Sequence, residues 1–293
     1  PECSHTDDTC NAYAYGNFLT YYDGKLYWSN SDYVDENGTI VNYGERLHRM
    51  NIDGTEHEVV QELDFEPGGD TSNFLTKPII HRSIVYFCYS GYLYAVTLGD
   101  DIENAMCIYG EEIIDDGSHI INPNEMYYEL WADGDMVYFM AKNVKQSNGT
   151  YKDTLYSYDP QNEKLTKVWQ VPDKSEVATW STTGVSVSSW YVSGGYIYYY
   201  LSGNDLWYAD LSTGKNAKLA DVDLSAGEAI FSSEYIVIMQ KEVWGQDLIS
   251  GGAAVKGGDK LYVYDYSGEL VKEISLKQIY DDSVNVSDVY LLW

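Results

Sequence analysis

The fold is decided by the stretch Tyr22-Asp23-Gly24-Lys25-Leu26-Tyr27-Trp28 and its continuation Leu47-His48-Arg49-Met50-Asn51-Ile52-Asp53-Gly54-Thr55. Each part contains an Asp-Gly pair beside apolar strand residues, which favours a tight β-hairpin turn. Related text occurs five times along the chain. The equivalent leucines, separated by 46, 62, 51 and 55 residues, are Leu47, Leu93, Leu155, Leu206 and Leu261.

A period of this length, with about four short strands inside it, is typical of a β-propeller blade. We therefore predict an all-β fold, a β-propeller of four-stranded blades, in one domain of residues 17–293 after a tail of residues 1–16. The 30 Tyr, 8 Trp and 6 Phe residues suit such sheets. Residues 284–293 are expected to form a closing strand. The sequence does not decide between five and six blades in total. The predicted blades are residues 17–65, 74–110, 126–170, 187–221 and 226–276.

The irregular sequence lies in two kinds of connection, if the strands of each blade are named A to D in chain order. Long B–C insertions are predicted at residues 29–45, 141–153 and 241–259. Long D–A connections are predicted at residues 61–77, 110–125 and 169–187. Both kinds of connection leave a propeller on the same rim, and loops held by a rigid scaffold often carry binding sites. We therefore expect a ligand to bind on that face.

Aromatic residues outside the repeat register are the candidate binding residues. They fall in the predicted B–C and D–A connections, and they are Trp169, Trp180, Trp244, Tyr33 and Tyr43. Exposed aromatic rings suit stacking on sugars or burial at a protein interface. The alternative is that these rings fold back and cover the edges of the blades.

The composition makes several partners unfavourable. The chain has 46 acidic and 18 basic residues and a formal net charge of −28, so it repels nucleic-acid phosphates and anionic membrane surfaces. Such acidity acts as a solubility device, or it forms a face that attracts cations or a basic partner. No stretch approaches the roughly 18 apolar residues that cross a bilayer. The first residues do not have the basic-then-apolar pattern of an export signal. A secreted precursor could have carried a signal that was later removed.

The four cysteines do not form the framework of a disulfide-rich scaffold. Cys3 and Cys10 lie in the polar tail and are a candidate disulfide. Cys88 and Cys107 fall in blade 2, where the pattern predicts another strand between them. We expect two buried free thiols there, not a bridge.

Catalytic and metal-binding patterns are weak. The five histidines are scattered, no acidic run has the register of a calcium loop, and no Gly-x-Ser-x-Gly elbow is present. We predict no cofactor and no catalytic residue. The sequence favours a solvated charge run at the acidic segments. If calcium binds, the segment with Glu111, Asp115 and Asp116 is the expected place.

The first repeat also carries a family resemblance. The text Lys25-Leu26-Tyr27-Trp28-Ser29-Asn30, followed by residues 47–55, resembles the Tyr-Trp-Thr-Asp (YWTD) repeat of the low-density lipoprotein receptor family. Over roughly residues 17–276 the chain is similar to the bacterial propeller domains grouped as DUF5050. This resemblance implies an exported or surface-attached recognition module.

Together these observations predict a non-catalytic module on the outside of a bacterial cell, secreted or surface-attached, that binds a protein or glycan and is monomeric. One alternative is a propeller hydrolase or lyase that uses loop carboxylates at the central channel. Another is a structural spacer within a larger surface protein. An exposed aromatic patch would favour the binding module, and converging carboxylates or a metal would favour the enzyme.

Overall fold

The structure of the protein is a computed structural model that describes residues 19–36, 39–65, 78–89, 92–110, 129–149, 151–173, 187–201, 206–220, 227–240, 243–246, 253–256 and 260–275. In this part of the chain, helix is limited to one 3-10 turn, Ile102–Asn104. The strands form five four-stranded antiparallel blades, and the fold is a five-bladed β-propeller. The predicted all-β class and propeller architecture are confirmed.

Each blade is built from strands that follow one another along the chain. Blade 1 contains β1 (Leu19–Tyr22), β2 (Lys25–Glu36), β3 (Thr39–Asn51) and β4 (Glu58–Glu62). Blade 2 contains β5 (Ile79–His81), β6 (Ile84–Tyr89), β7 (Tyr92–Thr97) and β8 (Met106–Gly110). Blade 3 contains β9 (Glu129–Asp133), β10 (Met136–Lys145), β11 (Tyr151–Asp159) and β12 (Lys164–Gln170).

The last two blades follow the same order, with one insertion. Blade 4 contains β13 (Val187–Ser193), β14 (Tyr196–Leu201), β15 (Leu206–Asp210) and β16 (Asn216–Ala220). Blade 5 contains β17 (Gly227–Phe231), β18 (Tyr235–Gln240), β21 (Lys260–Asp265) and β22 (Leu270–Ser275). Between β18 and β21 the chain forms a separate two-stranded sheet of β19 (Val243–Gln246) and β20 (Ala253–Lys256).

All five blades lie within the segments that the sequence repeat assigned to them. The predicted tail with Cys3 and Cys10 and the predicted closing strand of residues 284–293 lie outside the described residues. By its contacts the chain divides into two compact units. One is Pro1–Lys142 with Tyr158–Leu165, and the other is Asn143–Ser157 with Thr166–Trp293. The single-domain assignment stays a prediction.

Each unit has its own apolar core between adjacent blades. In the first unit, blades 1 and 2 bury a cluster that consists of Tyr27, Leu47, Leu63, Ile80, Val85, Phe87, Tyr89, Val96 and Ile102. In the second unit, blades 4 and 5 bury Tyr200, Leu206, Ala229, Phe231, Ile236, Ile238 and Tyr264. Burying one large apolar side chain contributes roughly 1.5–3 kcal/mol. Burial of these apolar side chains is therefore a main contribution to holding adjacent blades together.

The long B–C insertions differ from the prediction. Strands β2 and β3 pair from Lys25 opposite Asn51 to Glu36 opposite Thr39, with a bulge between Asp32 and Tyr33. Much of the predicted loop of residues 29–45 is therefore a β-ribbon. Similarly, β10 extends to Lys145, β11 begins at Tyr151, and β19 pairs with β20. The prediction of irregular loops was wrong there, because antiparallel pairing satisfies the backbone N–H and C=O groups of an insertion internally.

The A–B turn of blade 2 connects neighbouring blades of the first unit. Arg82 and Ser83 have φ values of 52° and 60°, a conformation that costs non-glycine residues free energy. The Ser83 hydroxyl lies 3.1 Å from the Tyr22 hydroxyl, and the Ser83 backbone N–H donates to the same Tyr22 oxygen at 2.8 Å. Arg82 pairs with Asp135. These contacts connect the turn to blades 1 and 3, which accounts for side chains at positions where glycine would be less strained.

The C–D turns of blades 1, 3, 4 and 5 contain the same type of side-chain hydrogen bond. An aspartate near the end of the third strand accepts hydrogen bonds from the turn that follows, and the four examples are Asp53, Asp159, Asp210 and Asp265. At Asp210 the donors are the Ser212 backbone N–H (2.8 Å), the Ser212 hydroxyl (2.6 Å) and the Thr213 backbone N–H (3.1 Å). Because these bonds stabilise the charged form, they lower the pKa of Asp210.

A group whose pKa is lower in the folded state stabilises the fold above the unfolded-state pKa, near 3.9, and loses this effect as the pH falls through the folded-state pKa. We therefore expect the thermal unfolding midpoint to fall as the pH is lowered from 5 to 3. The Asp210→Asn variant should show a smaller decrease, measured by circular dichroism. The matched control is Glu234→Gln, which removes one negative charge at an A–B turn. Identical pH dependence in Asp210→Asn and the native protein would contradict this account.

Blade 2 differs from the others in its outer strand. Strand β8, Met106-Cys107-Ile108-Tyr109-Gly110, has no charged residue, whereas β4, β12, β16 and β22 each contain Lys or Glu. Met106 is 40% exposed. Gly110 lies so close to the ring of Tyr92 that a Cβ atom there would overlap it, which explains the glycine at this position.

The two cysteines of blade 2 are free, as predicted, but only one of them is buried. Cys88 is buried on β6, whereas Cys107 is exposed on β8. Strand β7 lies between them, since Cys88 is opposite Leu93 and Cys107 is opposite Tyr94. The expectation of a buried Cys107 was wrong because β8 is the outermost strand of its sheet.

In a Cys3→Ser/Cys10→Ser background, we expect the native protein to react with Ellman's reagent at one thiol, Cys107. Cys88 should react only after denaturation. Partial burial raises the pKa of Cys107, so its reaction should accelerate as the pH rises past the ordinary thiol range. Fast modification of Cys88 in the native protein, identified by mass spectrometry, would contradict the placement of these strands.

Candidate functional site

Trp169 lies on a strand of blade 3, not in an exposed loop. It is on β12, is only 4% exposed, and packs against Tyr199 with the ring centroids 4.8 Å apart. Its indole N–H donates to Asn216 Oδ1 at 3.0 Å, and the Tyr199 hydroxyl donates to the same oxygen at 3.0 Å. Trp169 thus follows the alternative in which a candidate ring packs against a neighbouring blade, and one amide oxygen of blade 4 satisfies both buried donors. Its role in binding stays a prediction.

Replacing Asn216 by alanine should destabilise the second unit, since it leaves two donors without this acceptor. Each unsatisfied buried donor costs about 1–3 kcal/mol. We expect a lower urea midpoint, measured by tryptophan fluorescence. The control Asn216→Asp keeps the accepting oxygen and should lose less stability than Asn216→Ala. Equal losses in the two variants would show that the shared oxygen contributes little.

The other candidate aromatic residues lie on strands or outside the described residues. Tyr33 is on β2, Tyr43 is on β3 and Trp244 is on β19, all within the B–C ribbons. Trp180 lies outside the described residues, as do the candidate calcium ligands Glu111, Asp115 and Asp116. Their roles in binding stay predictions.

A row of tyrosines crosses one face of blade 4. Tyr198 on β14 is opposite Tyr191 on β13 and opposite Tyr208 on β15. Residues paired across antiparallel strands point to the same side of a sheet, and so do residues two apart along a strand. Tyr196, two residues before Tyr198, therefore shares this face. We call Tyr191, Tyr196, Tyr198 and Tyr208 the tyrosine row.

The rings of the tyrosine row lie close to one another and reach the surface. The ring centroids are 6.4 Å apart for Tyr196 and Tyr198, 6.2 Å for Tyr196 and Tyr208, and 6.3 Å for Tyr198 and Tyr208. Tyr196 is 38% exposed, and the other three are half-buried. The row lies towards the end of blade 4 that carries the A–B turn, because Tyr196 begins β14 directly after Gly194 and Gly195.

Blade 5 supports the tyrosine row from one side. The Tyr266 ring meets the Tyr198 ring edge-on with centroids 4.5 Å apart, and it lies 5.9 Å from the Tyr191 ring. The Tyr266 hydroxyl donates to the backbone carbonyl of Ser232, in the A–B turn of blade 5. Phe231 stacks on Tyr191 with centroids 6.3 Å apart. These contacts fix the positions of the inner rings.

Burial raises the pKa of two tyrosines at this surface, Tyr198 and Tyr266. Loss of water, followed by the nearby Tyr196, Tyr208 and Tyr191, raises the pKa of Tyr198 above its ordinary value of 10. Burial also raises the pKa of Tyr266. The surface presents aromatic rings that carry hydroxyl groups, a combination that suits recognition of sugars, peptides or organic cations.

Sequence reasoning missed the tyrosine row. The repeat predicts only that residues 187–221 form a blade, and within it Ile197 and Tyr199 are buried. The available signal was the period-two spacing of Tyr196, Tyr198 and Tyr200 in β14. That spacing does not show which tyrosines remain accessible, since accessibility depends on the neighbouring strands and on the adjacent blade.

Two histidines that the sequence separates are brought together on blade 1. His48 Nδ1 lies 3.1 Å from His57 Nε2, and both rings stack on the buried Trp28. The described residues contain no group of three or more His, Cys, Asp or Glu side chains close enough to hold a metal ion. The described part of the chain also has no helix long and apolar enough to cross a membrane.

Comparison with known proteins gives no family assignment. No family model matches the chain, and no curated protein matches it. Among solved structures, the computationally designed Ika8 protein aligns with a TM-score of 0.44 and 12% identity over 88% of this chain and 60% of its own. The dipeptidyl peptidase 4 of Porphyromonas gingivalis aligns with a TM-score of 0.42 and 5% identity over 86% of this chain and 38% of its own.

Proposed function

We propose that this protein is a non-catalytic recognition module that binds a protein or glycan through exposed aromatic side chains. The observation that carries the proposal is the tyrosine row of blade 4, where Tyr196 and its neighbours form a supported aromatic surface. Tyrosine suits this role because it offers a large contact area and a polar hydroxyl at little cost in side-chain entropy. A spacer domain would not need such a surface.

The B–C ribbons of blades 1 and 5 are a second candidate surface. They carry Tyr33, Tyr43 and Trp244 on paired strands. Paired strands hold a contact surface in one conformation better than a loose loop does, which lowers the entropic cost of binding. The tyrosine row and the ribbons can be tested separately, because their residues do not overlap.

An extracellular or cell-surface location in bacteria, the monomeric state and the resemblance to the DUF5050 and YWTD-type propellers belong to the same proposal. The support is the text of blade 1, where Trp28 lies opposite His48 and Asp53 begins a C–D turn. A calcium ion held by Glu111, Asp115 and Asp116, and a loop-carboxylate hydrolase or lyase, remain the rival proposals. Calcium titration of the native protein by calorimetry, compared with Glu111→Gln, addresses the first.

The main experiment is to probe the labelled protein on arrays of neutral, acidic and amino-sugar oligosaccharides and of basic, acidic and neutral peptides. We expect binding to at least one class, weakened about tenfold or more by Tyr196→Ser/Tyr208→Ser, since stacked aromatic contacts contribute about 0.5–1.5 kcal/mol each beyond buried area. The control is Tyr151→Ser, which removes a tyrosine that is 49% exposed on β11.

The outcome distinguishes the candidate surfaces. Loss of binding in Tyr33→Ser/Tyr43→Ser, with normal binding in Tyr196→Ser/Tyr208→Ser, would assign recognition to the blade 1 ribbon and not to the tyrosine row. Absence of binding to every array class by the native protein would contradict the recognition proposal and favour a spacer.

A further inference from the structure

Three members of the tyrosine row form a nearly equilateral triangle. The centroids of the Tyr196, Tyr198 and Tyr208 rings are separated by 6.4, 6.2 and 6.3 Å. The ring planes are inclined to one another by 44°, 58° and 29°. The ring planes are therefore not parallel, and the Tyr196 ring reaches the solvent, where it is 38% exposed.

The size of the triangle fits a small organic cation. A point about 3 Å above its centre lies about 4.7 Å from all three centroids, within the roughly 6 Å over which a cation is attracted to an aromatic face. A tetrahedral ammonium group at that point can contact three rings at once. Attraction to several rings is the principle by which aromatic cages hold quaternary ammonium groups.

One corner of the triangle, Tyr198, is supported by blade 5. Tyr198 is supported by Tyr266, and the Tyr266 hydroxyl is hydrogen-bonded to the Ser232 carbonyl. Tyr198 and Tyr208 are also opposite each other on adjacent strands. A ring that is already held in position loses little side-chain entropy when a ligand binds, so less of the cation–π attraction is offset by that cost.

The electrostatic surroundings favour a positive ligand. Asp210 is opposite Tyr196 across β14 and β15, so its carboxylate is on the same side of the sheet. Hydrogen bonds from Ser212 and Thr213 lower the pKa of Asp210, which keeps it charged at neutral pH. The net charge of −28 adds a long-range attraction for cations.

The chemistry of the triangle selects among cations. A primary ammonium group is compact and strongly hydrated, and it needs hydrogen-bond acceptors that replace its water. A quaternary ammonium group has no N–H donor and spreads its charge over methyl groups, which suits neutral aromatic rings. Burial raises the pKa of Tyr198, which favours the neutral form of this ring.

We propose that Tyr196, Tyr198 and Tyr208 form a binding site for a trimethylammonium group. This inference rests on the proposed recognition function, because it names the ligand class of the same surface. A trimethylammonium group occurs in choline-containing headgroups and in trimethylated lysine side chains. The shared chemistry is the N-trimethyl group, and the experiment separates the two sources.

The test compares choline with its uncharged isostere 3,3-dimethylbutan-1-ol, each titrated into the full chain and followed by NMR shifts of the tyrosine ring protons. We expect choline to bind at least about tenfold more tightly than the neutral analogue, since only the cation is attracted to the aromatic faces. Equal affinities would show a merely apolar pocket, and no shift with choline would show that no site exists. Either result would overturn the proposal.

Variants identify the residues responsible. Tyr196→Leu keeps an apolar side chain but removes the ring, and it should weaken choline binding about 3- to 30-fold, whereas Tyr196→Phe should bind choline like the native protein. Tyr151→Leu is the control for loss of an exposed tyrosine in the same unit. Normal choline binding by Tyr196→Leu would show that the three rings do not form the binding site, and it would overturn the proposal. Unchanged thermal midpoints verify that each variant is folded.

The sources are separated by titrating phosphocholine and a peptide that contains trimethyllysine, with the unmethylated lysine peptide as its control. Tighter binding of the methylated peptide would assign a protein ligand, and tighter binding of phosphocholine would assign a headgroup. If oligosaccharides or peptides bind through the tyrosine row but choline does not, this inference fails while the proposed recognition function stands.

Discussion

The central strands of these blades must be apolar on both faces. On β6, the five residues Val85–Tyr89 are all buried, and on β18 the run Ile236–Ile238 is buried as well. A strand that contacts neighbours on both sides cannot alternate between apolar and polar residues, so it reads as a continuous hydrophobic run. Tyrosine and phenylalanine fill much of this space. At Tyr86 the hydroxyl is buried and has no hydrogen-bond partner among the described residues, which is the energetic cost of using an amphipathic ring in a core.

The sequence was sufficient to predict the blades because the turns between their strands are determined by neighbouring residues. Asp23 and Gly24 adopt positive φ values of 46° and 80° in a two-residue turn, and the Asp210 carboxylate binds the backbone of its own C–D turn. Such signals act within a few residues, so they can be read along the chain. The B–C insertions were not predictable as ribbons, because pairing between β19 and β20 joins segments of ordinary loop composition. The burial of Trp169 was not predictable for a related reason, since its hydrogen-bond acceptor Asn216 is 47 residues away.

The candidate site could not be predicted from the sequence either, because strand pairing brings its residues together. Its residues come from β13, β14 and β15, and only the pairing of Tyr198 with Tyr191 and Tyr208 brings them together. Residue spacing gives the face of one strand but not the lateral neighbours. The tyrosine row is therefore a property of strand register in blade 4 combined with support from Tyr266 in blade 5. It also moves attention from the irregular connections to the regular sheet, where side-chain positions are better fixed.

The uncharged outer strand of blade 2 has a consequence for the colloidal behaviour of the protein. Charged residues on sheet margins normally discourage pairing between molecules, and β8 has none. At neutral pH the repulsion between molecules of charge −28 compensates for this. Near the isoelectric point of about 4.2, or in concentrated salt where the screening length is only about 3 Å, that repulsion disappears. Under those conditions we expect molecules to associate first through β8, where Met106 and Cys107 face the solvent.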